Sequence, residues 1–277
     1  KNLTNKISSP LSLAEQLSIF KFEEEAKKEE KEEKFILPPR ISFSQLETFE
    51  HCPAQFYYAY LKRLPTPPTG NQNFGSTIHK TLLNFYQAVL NNQEVSLDLL
   101  LNLYEKNWLP FGFKSRAWEK RLKKEGEQML RRFFKEGFSP TNKPLFLEKR
   151  FVFPLKNWRL SGVIDRVDKT SKGYEIIDYK TGKTMADKEI EKSLQMTVYA
   201  LAATDPGILG AKPEEITTTF YFLSEGVKKS IQKSAGQIEK GKEELLKRLE
   251  ALKNDQFFPK PGFWCDFCPY RTLCDAW

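Results

Sequence analysis

Asp165, Asp178 and Lys180 are the residues of this sequence whose types and spacing best suit chemistry on a phosphate ester. Each aspartate follows two apolar residues in a short β-like segment. A carboxylate among apolar neighbours is costly unless a cation compensates its charge, and Mg2+ or Mn2+ prefers such oxygen ligands. Residues i and i+2 of a strand share a face, so Asp178 and Lys180 should point the same way. A metal held there would lower the pKa of a bound water, which Lys180 could orient.

The turn between the two strands decides whether the aspartates meet. If the loop is the four residues 170–173, Asp165 lies directly opposite Asp178, whereas a five-residue loop would send the carboxylates to opposite faces. A metal site therefore requires the shorter loop or a compensating bulge. The alternative is an exposed Asp–Lys pair with no catalytic role, which a bare D-x-K pattern does not exclude.

The four cysteines form a second candidate site. Cys265, Cys268 and Cys274 follow a C-x2-C-x5-C pattern, and Cys52 lies more than 200 residues upstream. Four thiolates suit either a [4Fe–4S] cluster or an all-cysteine zinc site, and the spacing does not separate the two. Either centre would attach the C-terminal tail to the N-terminal helical part. We expect three aromatic residues to shield it: Trp264, Phe267 and Tyr270.

The composition allows a large core and favours a polyanionic partner. The chain has 277 residues, is 40% hydrophobic and carries a formal charge of +8. No apolar run is long enough to span a bilayer, and no signal peptide is visible, so we expect a cytoplasmic protein without a membrane partner. The first residue is Lys1 and not Met, so we expect a fragment or a processed product.

The pattern of apolar residues predicts helices on both sides of a set of strands. Residues 1–38 read as a charged linker or an exposed helix. The segment Ser44 to Glu47 resembles a capping box that starts a helix. The basic segment 115–136 could be a nucleic-acid track or simply a solvated helix face. Further helices are predicted at 75–91, 96–108, 187–204 and 237–253, and strands at 145–153, 159–168, 174–180 and 217–223.

Several motifs occur together in one order: SFSQLETFEHCPAQFYY, GSTIHKTL, GVIDR, IIDYKTGK, LQMTVYAL and the final cysteines. Over residues 40–277 this arrangement resembles the PD-(D/E)XK nuclease superfamily. It is most similar to the RecB-like nuclease domains fused to superfamily 1 helicases and to the AddB-type iron–sulfur nucleases. The resemblance implies an α/β fold with a restriction-endonuclease-like core, in which helices flank a central mixed β-sheet. A helical N-terminal region and a cluster-stapled tail would complete a nuclease domain at 39–277.

The resemblance also implies roles for individual residues of the acidic site. Asp165 and Asp178 match the two metal-binding acids and Lys180 the catalytic lysine. The backbone carbonyl of Tyr179 would be a further metal ligand. His79 matches a histidine that contributes to the metal site, although a lone histidine on a helix is more often structural.

Two more site residues follow from the same resemblance. Gln195 and Tyr199 match a Q-x3-Y motif, and their spacing lets both side chains reach one site from one helix face. Ordinary packing at the edge of the core is the alternative for this pair. Glu148 lies on the preceding strand, and the sequence assigns it no role.

For the cysteines, the resemblance selects the [4Fe–4S] cluster, held by Cys52, Cys265, Cys268 and Cys274. The implied function is that of a Mg2+- or Mn2+-dependent DNA nuclease, with exonuclease action and single-stranded DNA as expectations. It would be the C-terminal domain of a helicase–nuclease in DNA repair or recombination, with the helicase motor in cis or as a partner. No phosphate-binding G-x4-G-K-[ST] loop occurs in the 277 residues.

Three other functions remain open at this point. A stand-alone nuclease of the CRISPR-adaptation type would have the same site without a motor. A DNA-binding module that kept the fold without cutting would have lost an acid or the lysine in most cases, and here all three are present. A zinc-tethered scaffold would be colourless, whereas an iron–sulfur protein is brown.

Overall fold

A computed structural model describes residues 35–276. The chain divides into two units, residues 1–37 and 38–277. The charged segment predicted at 1–38 lies almost entirely outside the described residues. No helix in the described range is both long enough and apolar enough to cross a membrane.

The described residues form one six-stranded mixed sheet. The long strand β3 pairs antiparallel with β2 along one edge, and on its other edge it pairs with β4 (antiparallel) and β1 (parallel). The sheet continues through a parallel β4–β5 pair to an antiparallel β5–β6 pair. The strands are β1 (Ile41–Ser42), β2 (Pro144–Leu155), β3 (Trp158–Thr170), β4 (Gly173–Lys180), β5 (Ile216–Phe222) and β6 (Val227–Ile231).

Eight α-helices surround this sheet within the described range. They are α1 (Phe43–His51), α2 (Pro53–Phe56), α3 (Gly70–Leu90), α4 (Leu97–Asn107), α5 (Arg116–Arg132), α6 (Asp187–Lys192), α7 (Leu194–Thr204) and α8 (Ala235–Lys253). Short π-helical turns follow α2 (Tyr57–Leu61) and α5 (Phe133–Gly137), and the tail contains two 3-10 turns (Phe263–Phe267 and Arg271–Leu273). The expected α/β fold, a central mixed sheet with flanking helices, is confirmed.

The main core lies between one face of the sheet and helices α3, α4 and α5. Phe85, Leu100 and Leu130 from these helices are fully buried, and they belong to one cluster with Ile177 and Tyr179 of β4. On the sheet's other side, α7 packs against β5 and α8 packs against α7. The alternation of strand residues thus sends Tyr179 toward α3 and its neighbours Asp178 and Lys180 away from it.

Helix α1 does not begin where the sequence predicted. Its N-cap is Ser42, whose Oγ accepts from the Gln45 backbone N–H at 3.2 Å while Gln45 Oε1 accepts from the Ser42 N–H at 2.8 Å. The Ser44–Glu47 capping box is therefore wrong, because the reciprocal bonds form two residues earlier. As a result Glu47 lies inside the helix with its side chain free for other contacts.

Two other boundaries differ for the same kind of reason. Helix α3 begins at Gly70 and not Gly75, because Thr69 and Gln72 form a capping box. The helix predicted over 187–204 is two helices, since Ser193 caps α7 by accepting from the Met196 N–H at 3.3 Å. Strands β1 and β6 were not predicted. β1 has only two residues, and β6 reads VKKSI, a sequence with little apolar character.

Candidate functional site

The hairpin between β3 and β4 has the register that the shorter loop predicts. Thr170 pairs with Gly173, and the ladder continues to Arg166 opposite Ile177. Continuing the register by one step places Asp165 opposite Asp178. Gly173 makes the tight turn possible, since its φ is +142° and a Cβ there would lie 2.0 Å from the Glu215 carbonyl oxygen.

Asp165 lies where the β3–β4 ladder opens. Its Oδ2 accepts a hydrogen bond from the Tyr179 backbone N–H at 2.8 Å, in the place of a backbone partner. The N–H and carbonyl of one strand residue point to the same side, so the Tyr179 carbonyl also faces this opening. The side chain of Tyr179 is buried in the core.

His79 reaches Asp165 from α3. Its Nδ1 lies 3.2 Å from Asp165 Oδ1. Burial alone would lower the pKa of His79, but the hydrogen bond and negative charge of Asp165 outweigh it, and the pKa is raised. The histidine is therefore oriented by the first of the two predicted acids.

Glu148 joins this group, although no role was predicted for it. It lies on β2 between Leu147, which pairs with Arg166, and Lys149, which pairs with Ile164, so it falls opposite Asp165. Ligand atoms of His79, Glu148 and Asp165 all lie within 4.8 Å of one another. Burial and the charge of Asp165 raise the pKa of Glu148, which is the environment of a carboxylate that a cation would stabilise.

One feature of the sequence could have identified Glu148: this residue is the only acidic one in the strand LFLEKRFVF. Its backbone conformation in the structure is a second sign. Its φ of +46° is unusual for a non-glycine residue. A carboxylate in such a conformation inside a strand calls for a functional explanation.

Asp178 belongs to a separate network, held by α7. Its Oδ1 accepts from Tyr199 Oη at 2.5 Å and from Gln195 Nε2 at 3.2 Å. Its Oδ2 lies 2.8 Å from Lys180 Nζ, and Lys180 Nζ also donates to Gln195 Oε1 at 2.8 Å. Burial raises the pKa of Asp178, and the nearby Lys180 offsets this only in part. The structure thus brings together Asp178, Lys180, Gln195 and Tyr199.

Glu47 is the second residue near the site that sequence reasoning missed. It lines a cavity of about 150 Å³ with Gln195, Tyr199 and Gly162. Burial raises the pKa of Glu47, and the positive charge of Lys180 opposes that rise. Its position in the motif SFSQLETFEHC was the available signal, and the misplaced capping box concealed it.

The two halves of the site share the β3–β4 hairpin but make different contacts. His79, Glu148 and Asp165 line an open cleft of about 520 Å³, together with Lys80. Asp178 lies outside this tight group of three, and its contacts are with β4 and α7. The hairpin backbone joins the halves through the bond between Asp165 and the Tyr179 N–H.

The four cysteines surround one small cavity. Cys52 lies between α1 and α2, the other three lie in the tail, and all four line a cavity of about 110 Å³ with Trp264 and Tyr270. All four are free thiols. Burial raises the pKa of Cys268, as does the proximity of the other three thiols.

Hydrogen bonds attach the tail to the N-terminal helical region. Tyr58 Oη donates to the Leu273 carbonyl at 2.7 Å, and Tyr270 Oη donates to the Leu64 carbonyl at 3.0 Å. Phe267 does not shield the cysteines as predicted. Its side chain is 71% exposed and lines a different cleft.

The comparisons with known proteins agree with this geometry. A sequence profile of the PD-(D/E)XK nuclease superfamily matches residues 40–275. Curated protein sequences give no significant match.

Two solved structures are similar along most of their length. One is a "Putative exonuclease" from Eubacterium rectale, with 14% identity and a TM-score of 0.48, covering 95% of this chain and 94% of its own. The other is a protein named SSO0001, with 12% identity and a TM-score of 0.33, covering 84% of this chain and 93% of its own. At these TM-scores neither adds to the assignment, which rests on the sequence profile: the chain belongs to the PD-(D/E)XK nuclease superfamily.

Proposed function

We propose that this chain is a Mg2+- or Mn2+-dependent nuclease that hydrolyses DNA phosphodiesters at Asp165, Asp178 and Lys180. One observation carries the proposal. Glu148, Asp165 and Asp178 lie at one level of three adjacent strands, where the register of the sheet aligns them. A lysine ammonium 2.8 Å from the last of these carboxylates supplies the remaining group.

The residues present fit a divalent cation. His79, Glu148 and Asp165 offer one nitrogen and carboxylate oxygens within 4.8 Å of one another, and carboxylates suit Mg2+ or Mn2+. The Tyr179 carbonyl and Asp178 would be further ligands. A cation bound there would lower the pKa of a bound water and offset the charge that develops on the phosphate.

Lys180 and Gln195 would position the groups that act on the attacking water and the phosphate. Gln195 contacts both Lys180 Nζ and Asp178 Oδ1, so it fixes the distance between the ammonium and the carboxylate. Lys180 is then positioned to orient the attacking water and to stabilise the charged phosphorane. The water oxygen forms a new bond to phosphorus and the P–O3′ bond breaks, which leaves a 5′-phosphate and a 3′-hydroxyl.

We further propose that Cys52, Cys265, Cys268 and Cys274 hold a [4Fe–4S] cluster. All four thiols line one cavity, so the four cysteines could hold one inorganic centre. The choice of the cluster over zinc rests on the resemblance of the motif order to that of iron–sulfur nucleases. Visible absorbance of the purified protein tests this choice, since a zinc protein is colourless.

The wider context remains part of the proposal. The motifs from Ser42 to the final cysteines resemble nuclease domains that work beside a helicase in DNA repair or recombination, so we propose a helicase motor in cis or as a partner. Addition of such a motor would then increase cleavage of duplex DNA more than cleavage of single strands.

The test of the proposed activity is cleavage of labelled single- and double-stranded DNA with Mg2+ or Mn2+. We expect metal-dependent cleavage by the anaerobically purified chain and its loss in Asp178→Ala and Lys180→Ala. Asp187→Ala and Lys172→Ala are matched controls, because both side chains are exposed and lie outside the site. A folded chain that leaves every substrate intact with either metal, or variants that cut as well as wild type, would contradict the proposal.

A further inference from the structure

A large cleft separates the N-terminal half of α5 from the C-terminal tail. Its volume is about 1030 Å³, and it is distinct from the cleft at Asp165. Lys114, Trp118 and Arg121 form one wall and Phe267 the other. Cys268 lines both this cleft and the cysteine cavity, so the cysteine site and this wall are parts of one structure.

Exposed aromatic side chains occur in the tail segment that forms one wall of this cleft. Phe263 is 81% exposed and Phe267 is 71% exposed. Single exposed apolar residues need no explanation, but a group of aromatic ones in one short segment points to a contact surface. Lys114 Nζ lies 4.9 Å from the centre of the Phe267 ring, so a cation and an aromatic face are presented together.

The basic residues of α5 and the segment just before it fall into two groups. Three of them lie near a carboxylate: Lys123 is 2.6 Å from Glu105, Arg131 is 2.7 Å from Glu127, and Arg121 is 3.6 Å from Glu125. Four exposed basic residues between positions 114 and 124 have no ion pair within the described part of the chain. These unpaired residues are Lys114, Arg116, Lys120 and Lys124.

The unpaired charges of α5 form a stripe beside the cleft that a polyanion could follow. Arg116, Lys120 and Lys124 are four residues apart and lie on one face of the helix, with successive positions about 6 Å apart along its axis. This face adjoins the face of Ala117, Trp118 and Arg121 that lines the cleft, and Lys114 lines the cleft itself. Among the described residues, Asp266 alone brings a carboxylate to the lining of the cleft, and this carboxylate lies 3.4 Å from Arg271. The net charge of the cleft is therefore positive.

The segment 108–113, which lies next to this cleft, is held in place by hydrogen bonds and ring stacking. Gly70 N–H donates to the Gly112 carbonyl at 2.6 Å, and Asn73 Nδ2 donates to the Phe111 carbonyl at 2.7 Å. The rings of Trp108 and Phe113 stack at 5.6 Å. A surface that is already ordered loses little conformational entropy when it binds a ligand.

We propose that this cleft binds a single-stranded segment of the DNA substrate, with its phosphates along α5 and a base stacked on Phe267. The proposal rests on the proposed nuclease function and adds the path of the strand to it. Aromatic stacking together with a basic groove is how proteins bind single strands regardless of sequence. Duplex DNA would bind less well, because its bases are stacked on one another and offer no free face.

The experiment is fluorescence anisotropy of a labelled 20-nucleotide single strand in EDTA, where metal-dependent cleavage cannot occur. We expect Phe267→Ala to weaken binding roughly 5- to 30-fold, in keeping with the loss of one stacked base. Phe267→Trp should retain binding. Phe258→Ala is the matched control, since this ring is 73% exposed in the same tail but does not line the cleft.

The charge stripe is tested separately by Lys114→Ala combined with Lys120→Ala. We expect weaker binding and a salt dependence whose slope is reduced by about 1.4, or about 0.7 per lost phosphate contact. Lys240→Ala with Lys247→Ala removes the same charge from exposed positions on α8 and should leave the slope unchanged.

Binding by Phe267→Ala at wild-type strength, or equal losses in Phe258→Ala, would overturn the proposal and leave the exposed rings to a protein partner. Visible absorbance of each variant shows whether the cysteine site is intact. Cleavage of the same strand by wild type with Mn2+ is scored independently. A failure of the nuclease activity is therefore distinguishable from a failure of this binding site.

Discussion

The acidic site and the cysteine site are built in different ways. The acidic residues lie on adjacent strands, where backbone pairing fixes their positions, and His79, Glu148 and Asp165 bring their ligand atoms within 4.8 Å of one another. The cysteines lie on the short turns that flank α2 and form the tail. They surround a common cavity, and no strand pairing fixes their positions.

This difference indicates what each bound group would contribute. The acidic site is arranged by the sheet, so a metal ion would supply chemistry and little structure. The tail is attached by side-chain hydrogen bonds such as those of Tyr58 and Tyr270, while its own elements are short 3-10 turns and not long helices or strands. A cluster would therefore supply structure there by closing a loop of more than 200 residues between Cys52 and Cys265.

Asp165→Asn should have the strongest effect on activity. The change weakens the acceptor for the Tyr179 N–H and for His79 and removes a charged metal ligand, so we expect metal-dependent cleavage to fall roughly a thousandfold. Because the sheet positions the residue, the melting temperature should change by no more than a few degrees. Activity assays and thermal scans of the same preparation check this, and a large loss of stability would show that the acidic site is not fixed by the sheet.

Cys274→Ser should act in the opposite way. Loss of a cluster ligand should remove the visible absorbance, lower the melting temperature by several degrees and expose residues 257–276 to protease. Some metal-dependent cleavage of single strands should persist, since Asp165 and Asp178 lie on the sheet. Unchanged stability in a colourless variant would contradict a structural role for the cluster.

Gln195→Ala should reduce cleavage by a smaller factor, roughly 10- to 100-fold. The amide forms hydrogen bonds with Lys180, Asp178 and Tyr199, and loss of these three hydrogen bonds costs about 1–3 kcal/mol. Tyr199→Phe removes one hydrogen bond to Asp178 and should lose less. A double variant whose loss is smaller than the product of the single losses would place both residues in one network.

In the presence of a chelator, Asp178→Asn should change the thermal stability of the protein by an amount that depends on pH. Burial raises the pKa of Asp178, and Asp165 adds to the rise, while Lys180 and Tyr199 oppose it. Between the ordinary and the raised pKa the folded chain binds more protons than the unfolded chain, so wild-type stability falls as pH rises through that interval.

The Asp178→Asn variant has no carboxylate to ionise at this buried position, so it does not lose stability in this way as pH rises. Its melting temperature in EDTA should exceed that of wild type by a few degrees at pH 8, and the advantage should shrink as pH falls toward 4. Mn2+ should stabilise wild type more than the variant. A variant that is less stable than wild type at pH 8 would mean that the pairing with Lys180 outweighs burial.

Much of the acidic site could be predicted because strand periodicity is local. The spacing from Asp165 through the turn to Asp178 sets the register, and one residue more or less would have reversed it. Glu148 could not be placed in the same way, since its partner lies on another strand and its φ of +46° departs from strand geometry. Its contact with His79 depends on how α3 packs against the sheet.

The tail was less predictable for a physical reason. The spacing of Cys265, Cys268 and Cys274 identifies ligands for one centre, but short turns have no periodicity that fixes the direction of a side chain. Phe267 was therefore assigned to the cysteine site, whereas the structure directs it into the cleft beside α5. The N-cap of α1 was misplaced by two residues, because Ser42 and Ser44 are both capable caps and only tertiary packing selects between them.

Hydrogen–deuterium exchange on the anaerobic protein, before and after removal of the proposed cluster, tests the contrast between the two sites most directly. We predict faster exchange in residues 43–61 and 257–276 after removal, with unchanged protection in β3 and β4 around Asp165 and Asp178. Loss of protection in the sheet to the same extent, or no change in the tail, would contradict the account.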